Sequence, residues 1–294
     1  KLAAVADASL PKVLQRQNSK QQDTFKLLLQ LDDGEKIEMA LMLYNAKERR
    51  KRATCCVSTQ SGCRMGCAFC ATGRFSQGRD LQAGEIVAQV QLAGQIAKEQ
   101  GFDGITNVVY MGMGEPLLNM AQVKKSISLL NHSQGQKIGM RRFTISTCGL
   151  VPQIHEMADW GWQIGLALSL HAPNDALRQK LMPIAKKYTI RQTMEACRHY
   201  FAASGQRMTY EYAMFDGIND GIKEAEQLAE LLRGEDCLIN IIPANPVPET
   251  GFFPSGDEAI KQFTDILTSY GLEFFVRRER GRDIDAACGQ LRHR

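Results

Sequence analysis

The chain of 294 residues is 44% hydrophobic and 23% charged, with a formal net charge of +4, a balance that marks a soluble globular protein of one large domain or about two ordinary ones. No apolar run approaches the roughly 20 residues a bilayer span requires, and Lys1 to Leu10 lacks the apolar stretch of a secretory signal. Nine cysteines without such a signal point to a reducing cytoplasm, where thiols serve metals or catalysis, and an odd number argues against a disulfide framework.

Along the chain, Thr24 to Leu31 and Lys36 to Leu43 read as strands around the turn Asp32-Asp33-Gly34-Glu35, a hairpin. The basic run Lys47-Glu48-Arg49-Arg50-Lys51-Arg52 follows. A strand from Ala53 to Thr59 then leads into Gly62-Cys63-Arg64-Met65-Gly66-Cys67-Ala68-Phe69-Cys70. Beyond it, helix and strand alternate. Helical spacing at Ile86, Val87, Val90, Ala93 and Ala97 precedes the strand Ile105 to Met111, and Met120, Val123, Ile127 and Leu130 precede Arg142 to Ser146. Ile154, Met157 and Ala158 lead to the strand Gln163 to Leu170, and Met194, Cys197 and Phe201 to Met208 to Phe215. Leu228, Leu231 and Leu232 lead to Cys237 to Pro243, and Ile260, Phe263, Ile266 and Leu267 to Glu273 to Arg277. This alternation predicts a parallel α/β sheet with right-handed crossovers. About six units fall short of the eight of a closed barrel, so the expected fold is an open, partial (βα)6 barrel over residues 53–294, with residues 1–52 as an extension bearing the hairpin.

The trio Cys63, Cys67 and Cys70 suits an iron–sulfur cluster better than zinc. Zinc sites pair two knuckles to make four tetrahedral ligands, and no matching second knuckle is present. Three thiolates on a four-iron cluster leave one iron open to bind something else, which points to chemistry rather than electron storage. Small and polar residues recur at strand ends. Gly112-Met113-Gly114-Glu115-Pro116 follows the second strand of the alternation, Ser146-Thr147-Cys148-Gly149 the third and Ser169-Leu170-His171 the fourth. Asn245-Pro246 follows the sixth, and Cys288 lies beyond the last. Carboxyl ends of barrel strands hold active sites, so these stations are expected to share one cavity.

Singly, each station has an ordinary reading. The glycines and Pro116 suit a tight turn, Ser146, Ser169 and Asn245 suit helix caps, and His171 suits a satisfied interior histidine. Beside an open cluster, Glu115 and the hydroxyls suit an ammonium and ribose oxygens. Cys148, Cys197 and Cys237 read as packing residues. Cys55 and Cys56 are neighbours on a strand, so only one of them can face the cavity. The runs Arg277-Arg278-Glu279-Arg280-Gly281-Arg282 and Arg292-His293-Arg294, with the basic run before the cysteines, favour a nucleic-acid substrate.

Taken together, the cysteine loop, Met111 to Pro116, Ser169 to Asp175, Asn245-Pro246-Val247-Pro248 and Gly281-Arg282-Asp283-Ile284-Asp285-Ala286-Ala287-Cys288-Gly289-Gln290-Leu291 resemble the RlmN/Cfr family of radical S-adenosylmethionine (radical SAM) RNA methyltransferases. The resemblance runs from about residue 24 to the end, and the last motif is its most specific part. It implies one [4Fe-4S] cluster on Cys63, Cys67 and Cys70. It also implies SAM contacts at Gly114, Glu115, Ser146, Ser169, Leu170, His171 and Asn245, with Glu115 receiving the methionyl ammonium.

By the same resemblance, one SAM methylates Cys288, and a 5′-deoxyadenosyl radical from a second takes hydrogen from that methyl group. The methylene radical adds to adenine, Glu38 accepts a proton, and Cys56 releases the protein–RNA adduct through a Cys56–Cys288 disulfide. RlmN-type enzymes act on adenosine carbon-2 of 23S rRNA and, in many bacteria, of tRNA. Cfr-type enzymes act on carbon-8, and Pro116 favours the first type. The family further implies an electron donor such as flavodoxin or ferredoxin, a monomer, and a small helical domain before the hairpin that this chain is expected to lack. Two readings of other classes stay open: an activase that makes a glycyl radical in another protein, and an iron–sulfur RNA-binding module without catalysis.

Overall fold

A computed structural model describes residues 10–45, 51–75, 78–245, 250–277 and 284. Cys288 and its motif, Pro246 to Pro248, and most of the basic runs lie outside the described residues.

Ten strands form one sheet in sequence order. β1 (Lys12–Asn18), β2 (Thr24–Gln30) and β3 (Lys36–Tyr44) run antiparallel, and β3 pairs antiparallel with β4 (Arg52–Cys56). Pairing is parallel from β4 onward, through β5 (Asn107–Tyr110), β6 (Phe143–Thr147), β7 (Gly165–Ser169), β8 (Met208–Met214), β9 (Cys237–Pro243) and β10 (Phe274–Val276). Between the parallel strands run α1 (Ala71–Phe75), α2 (Ala83–Glu99), α3 (Met120–Asn131), α4 (Val151–Ala158), α5 (Asp175–Leu181), α6 (Ile190–Ser204), α7 (Ile222–Leu231) and α8 (Asp257–Ser269). The result is the expected open α/β barrel.

The expected hairpin is present, but a third strand joins it and the sheet does not break between extension and barrel. Ala40 pairs with Cys56 and Met42 with Thr54, so the antiparallel strands prolong the barrel's edge. β1 escapes a sequence reading because Lys12, Gln15, Arg16 and Gln17 give it no apolar alternation, and it lies almost wholly exposed.

Side-chain alternation gives the sheet two unlike faces. The outer face carries Cys55, Val108, Tyr110, Phe143, Ile145, Leu166, Leu168, Tyr210, Tyr212, Ile239 and Ile241, which merge with the helices into the main core. Each such large apolar side chain contributes about 1.5–3 kcal/mol on burial. The inner face is read from the pairing register, which aligns Cys56 with Val109, Ser169 with Glu211, Glu211 with Asn240, and Ala213 with Ile242. Small and polar residues are concentrated there, which leaves the barrel interior open for a ligand. Local signals stop the helices where the strands need them to stop. Thr189 and Gln192 form a reciprocal capping box at the start of α6, and Gly205 ends it with φ of 64°.

Candidate active site

A cavity of about 180 Å³ lies at the carboxyl ends of the parallel strands. Its wall unites Cys63, Cys67 and Cys70 with Gly114, Glu115, Ser146, Ser169, His171 and Asn245. Leu170 does not line it. That residue is buried, its N–H donates to Glu211 O, and its carbonyl accepts from Arg178 Nε at 3.2 Å. Cys56 and Glu38 also lie off the cavity wall. Cys55 and Cys56 do point to opposite faces. Cys55 joins the main core, while Cys56 packs with Ala40 and Met42 against Val109 and Met111. Met111 lines the cavity as well, so it touches both the Cys56 cluster and the chamber. Glu38 is buried in an ion pair, its Oε1 lying 2.8 Å from Lys26 Nζ.

The loop after β5 is shaped by close approach. A Cβ on Gly112 would lie 2.7 Å from Ser58 N, and one on Gly114 would lie 2.6 Å from Gln60 Cβ. Gly114 also has φ of 98°, a conformation that L side chains avoid. These glycines let Glu115 enter the wall. Its N–H donates to Gln60 Oε1 at 2.8 Å, and its carboxylate accepts from Leu117 N at 3.1 Å and Cys148 N at 2.8 Å. Burial pushes the Glu115 carboxyl above the usual range, and the two backbone N–H donors pull it back. An incoming ammonium would complete that compensation. Cys148 packs in a buried apolar cluster, as expected, and it also lines the cavity and supplies one of these donors.

Among the described residues, no three His, Cys, Asp or Glu side chains are placed around a single ion. Cys63, Cys67 and Cys70 all line the cavity wall, so three soft thiol donors face one chamber. Burial pushes the Cys63 thiol up to about 12, against the pull of a hydrogen bond from Met65 N–H, and drives Cys67 well upward too. Bare thiolates are therefore costly here, and metal coordination is the ordinary way to deprotonate such thiols.

His171 is held in the left-handed region, with φ of 54°, a strained conformation of the kind that clusters at functional sites. Asn219, absent from the sequence expectations, pins it. Asn219 Nδ2 donates to His171 O at 2.8 Å and to Ala213 O at 2.7 Å. Ala213 N donates to His171 Nδ1 at 3.0 Å, so a neutral ring carries its hydrogen on Nε2. Burial first, and then Arg178, lower the His171 pKa to about 3. Phe69 sets its ring edge-on to His171 at 5.0 Å and packs on Phe215 at 5.1 Å.

Glu211 also escaped the expectations. It faces inward from β8, lines the cavity, and accepts from Asn240 Nδ2 at 2.8 Å. A usable signal existed, since Glu211 is the one charged residue in the strand Met208–Met214 and falls on the face opposite Met208, Tyr210 and Tyr212. Gln89 likewise braces the cysteine loop from α2, accepting from Ser58 N at 2.8 Å and donating to Ser58 O at 3.0 Å.

Comparison with known proteins agrees with this geometry. Residues 57–232 match the model of the radical SAM superfamily. A Geobacillus thermodenitrificans protein named "Probable dual-specificity RNA methyltransferase RlmN" is 45% identical over 99% of this chain and 78% of its own length. A Clostridium botulinum protein of the same name is 45% identical over 96% of this chain and 80% of its own. The chain belongs to the RlmN family of radical SAM enzymes. A radical SAM methyltransferase from Sphaerobacter thermophilus superposes with a TM-score of 0.94 at 44% identity, covering 99% of this chain and 84% of that one. Streptococcus suis SuiB, solved with S-adenosylmethionine, has a TM-score of 0.56 at 13% identity and shares the fold alone.

Membership of the RlmN family makes the chain a radical SAM methyltransferase and implies a [4Fe-4S] cluster and SAM. The residues present fit both groups. Three soft thiol donors ring one wall, and a buried carboxylate short of a cation stands on another. Among the described residues, no helix is long and apolar enough to cross a membrane.

Proposed function

We propose that the chain methylates carbon-2 of adenosine in 23S rRNA and in tRNA through a methylated cysteine. One observation carries the reading: a single cavity joins the three-cysteine loop to Glu115, Ser146, Ser169, His171 and Asn245, in a chain 45% identical over 99% of its length to a dual-specificity RNA methyltransferase. Residues 53–294 form the catalytic barrel in this reading, and residues 1–52 the extension.

Cys63, Cys67 and Cys70 would hold the cluster, which with SAM supplies a 5′-deoxyadenosyl radical. The protein's part is positioning, proton handling and exclusion of water. Glu115, fixed in one orientation by Leu117 N–H and Cys148 N–H, receives the methionyl ammonium. The Ser146 and Ser169 hydroxyls stand 3.5 Å apart and present paired donors and acceptors to the ribose. Neutral His171 keeps Nε2–H available as a donor. Phe69, Met182, Phe215 and Ile242 give much of the remaining wall an apolar face, which helps exclude water from a radical.

Cys288 carries the transferred methyl group, and Cys56, packed in one cluster with the cavity-lining Met111, resolves the covalent adduct. Glu38, oriented by Lys26, accepts the proton lost from the adenine carbon. The target base must be unstacked to enter, and a flavodoxin- or ferredoxin-type donor supplies the electron.

The test is anaerobic reconstitution with iron, sulfide, SAM and a reductant, followed by mass analysis of the RNA and of the Cys288 peptide. The expected products are 2-methyladenosine and methylated Cys288. An 8-methyl product alone reverses the regiochemistry, and an active enzyme with unmodified Cys288 refutes the mechanism.

A further inference from the structure

We infer that Arg178 is the built-in counter-charge of the metal centre, placed to stabilise its reduced state through a fixed positive charge and an unpartnered Nη1–H. The inference rests on the cluster reading given above. It concerns a residue of α5 that lies outside the cavity wall.

Arg178 is fully buried, and a guanidinium cannot shed its charge in a protein. Burying such an ion costs several kcal/mol unless an opposite charge repays it. Its hydrogen bonds repay only part of that cost. Nε donates to Leu170 O at 3.2 Å, and Nη2 donates to Cys148 O at 2.7 Å and Ser169 O at 3.1 Å. All three acceptors are neutral carbonyls. Among the described residues, no carboxylate lies within ion-pair distance of the guanidinium. Nη1 is buried with no hydrogen-bond partner at all.

The groups that act on the guanidinium most strongly are sulfurs, Cys148 first and then Cys67 and Cys197, with the carboxylate of Asp175 on the same helix weaker than these. The C-terminus of α5 abuts the cysteine loop, since Ala68 N donates to Leu181 O at 2.9 Å, and Cys67, Leu177 and Leu181 share one apolar cluster. Gly149 leaves room on the other side, because a Cβ there would lie 3.3 Å from Arg178 Nη2. The chain therefore holds a buried cation without an ion-pair partner among the described residues, on a helix whose last turn touches the cysteine loop. A cluster bearing three thiolates is anionic and gains a further negative charge on reduction. Hydrogen bonds and charges around cluster sulfurs set reduction potential, and Arg178 favours the reduced, SAM-cleaving state on both counts.

The test is an EPR-monitored redox titration of the anaerobically reconstituted full chain, without RNA. Arg178→Gln keeps hydrogen-bonding capacity to the carbonyls but removes the charge. It should lower the reduced-to-oxidised ratio at a fixed potential at least tenfold, a fall of about 59 mV for a one-electron couple. Arg178→Lys keeps the charge and should retain most of the wild-type potential. The inference is overturned if Arg178→Gln, with wild-type iron content and melting temperature, titrates with the wild type. It is also overturned if Arg178→Lys shifts as far as Arg178→Gln, because charge would then not matter. Should Arg178→Gln take up no cluster, protein labelled with guanidino-15N arginine in an Arg64→Lys background decides the question. Its reduced cluster should show a guanidinium nitrogen coupling in pulsed EPR, and absence of that coupling overturns the inference. A wild-type chain that takes up no [4Fe-4S] cluster sinks the functional reading itself, whereas a cluster of unmoved potential sinks only the role of Arg178.

Discussion

Replacing Gly114 with alanine adds a single methyl group, yet the structure predicts a large effect. The new Cβ would lie 2.6 Å from Gln60 Cβ, 2.7 Å from Cγ and 2.8 Å from Oε1. Gln60 cannot swing aside freely, because its Nε2 donates to Asp80 Oδ1 at 2.6 Å while its Oε1 accepts from Glu115 N at 2.8 Å. The positive φ costs a non-glycine residue about 1–2 kcal/mol, and overpacking of this kind costs about 1–3 kcal/mol. The sum is about 2–5 kcal/mol. At about 2–4 °C per kcal/mol for a chain of this size class, the melting temperature should fall on the order of 10 °C. Glu115 should be displaced with its loop, so SAM affinity should fall as well. Differential scanning calorimetry and equilibrium SAM binding measure the two effects. Gln60→Ala in the Gly114→Ala background removes the Cγ and Oε1 contacts but keeps the Cβ contact at 2.6 Å, so it should recover only part of the overpacking, a fraction that a double-mutant cycle reads directly. Wild-type melting and SAM binding in Gly114→Ala would refute the close-approach argument for this loop.

Glu115→Gln should weaken SAM binding by about 1.5–3 kcal/mol, the range for a hydrogen bond to a charged group, as read by isothermal titration. Because burial raises the Glu115 pKa, lowering pH through that raised value protonates the carboxyl and should reduce SAM affinity. In the ligand-free protein the sign is opposite. Glu115 binds its proton more tightly when folded, so its contribution to stability rises as pH falls from the raised value towards the ordinary one, and Glu115→Gln should flatten both profiles. Lys26→Met should destabilise the fold by about 3–5 kcal/mol in chemical denaturation, since it breaks the buried pair with Glu38; the double change with Glu38→Leu should recover much of that loss. Cys56→Ala should leave cluster content and 5′-deoxyadenosine release intact while a covalent protein–RNA species accumulates, visible on denaturing gels.

The barrel was legible because its two faces obey different compositional rules. Apolar runs such as Leu166 to Leu168 and Cys237 to Ile239 mark strands buried by helices, and the polar stations at their carboxyl ends converge in three dimensions once the strands are parallel. Period-two alternation correctly separated Cys55 from Cys56 without any contact information. The residues that escaped are those whose meaning depends on distant backbone. Nothing in Asp175 to Leu181 says that Arg178 turns inward, because its acceptors are carbonyls at Cys148, Ser169 and Leu170, brought together only when β6 and β7 lie side by side. Asn219 and Gln89 follow the same logic: each satisfies loop backbone that no strand ladder can reach. The glycine-rich loop falls between these cases, since its sequence announces a turn but only the approach of Gln60 explains why the turn admits no Cβ. Of Arg178, Asn219 and Gln89, only Gln89 carries a mark in the sequence, a polar side chain among the buried apolar positions of its helix. Glu211 shows that the mark can also be carried by a residue in the cavity itself, so only the direction of the strand face, fixed by register against Ser169 and Asn240, separates supporting residues from those that meet the ligand.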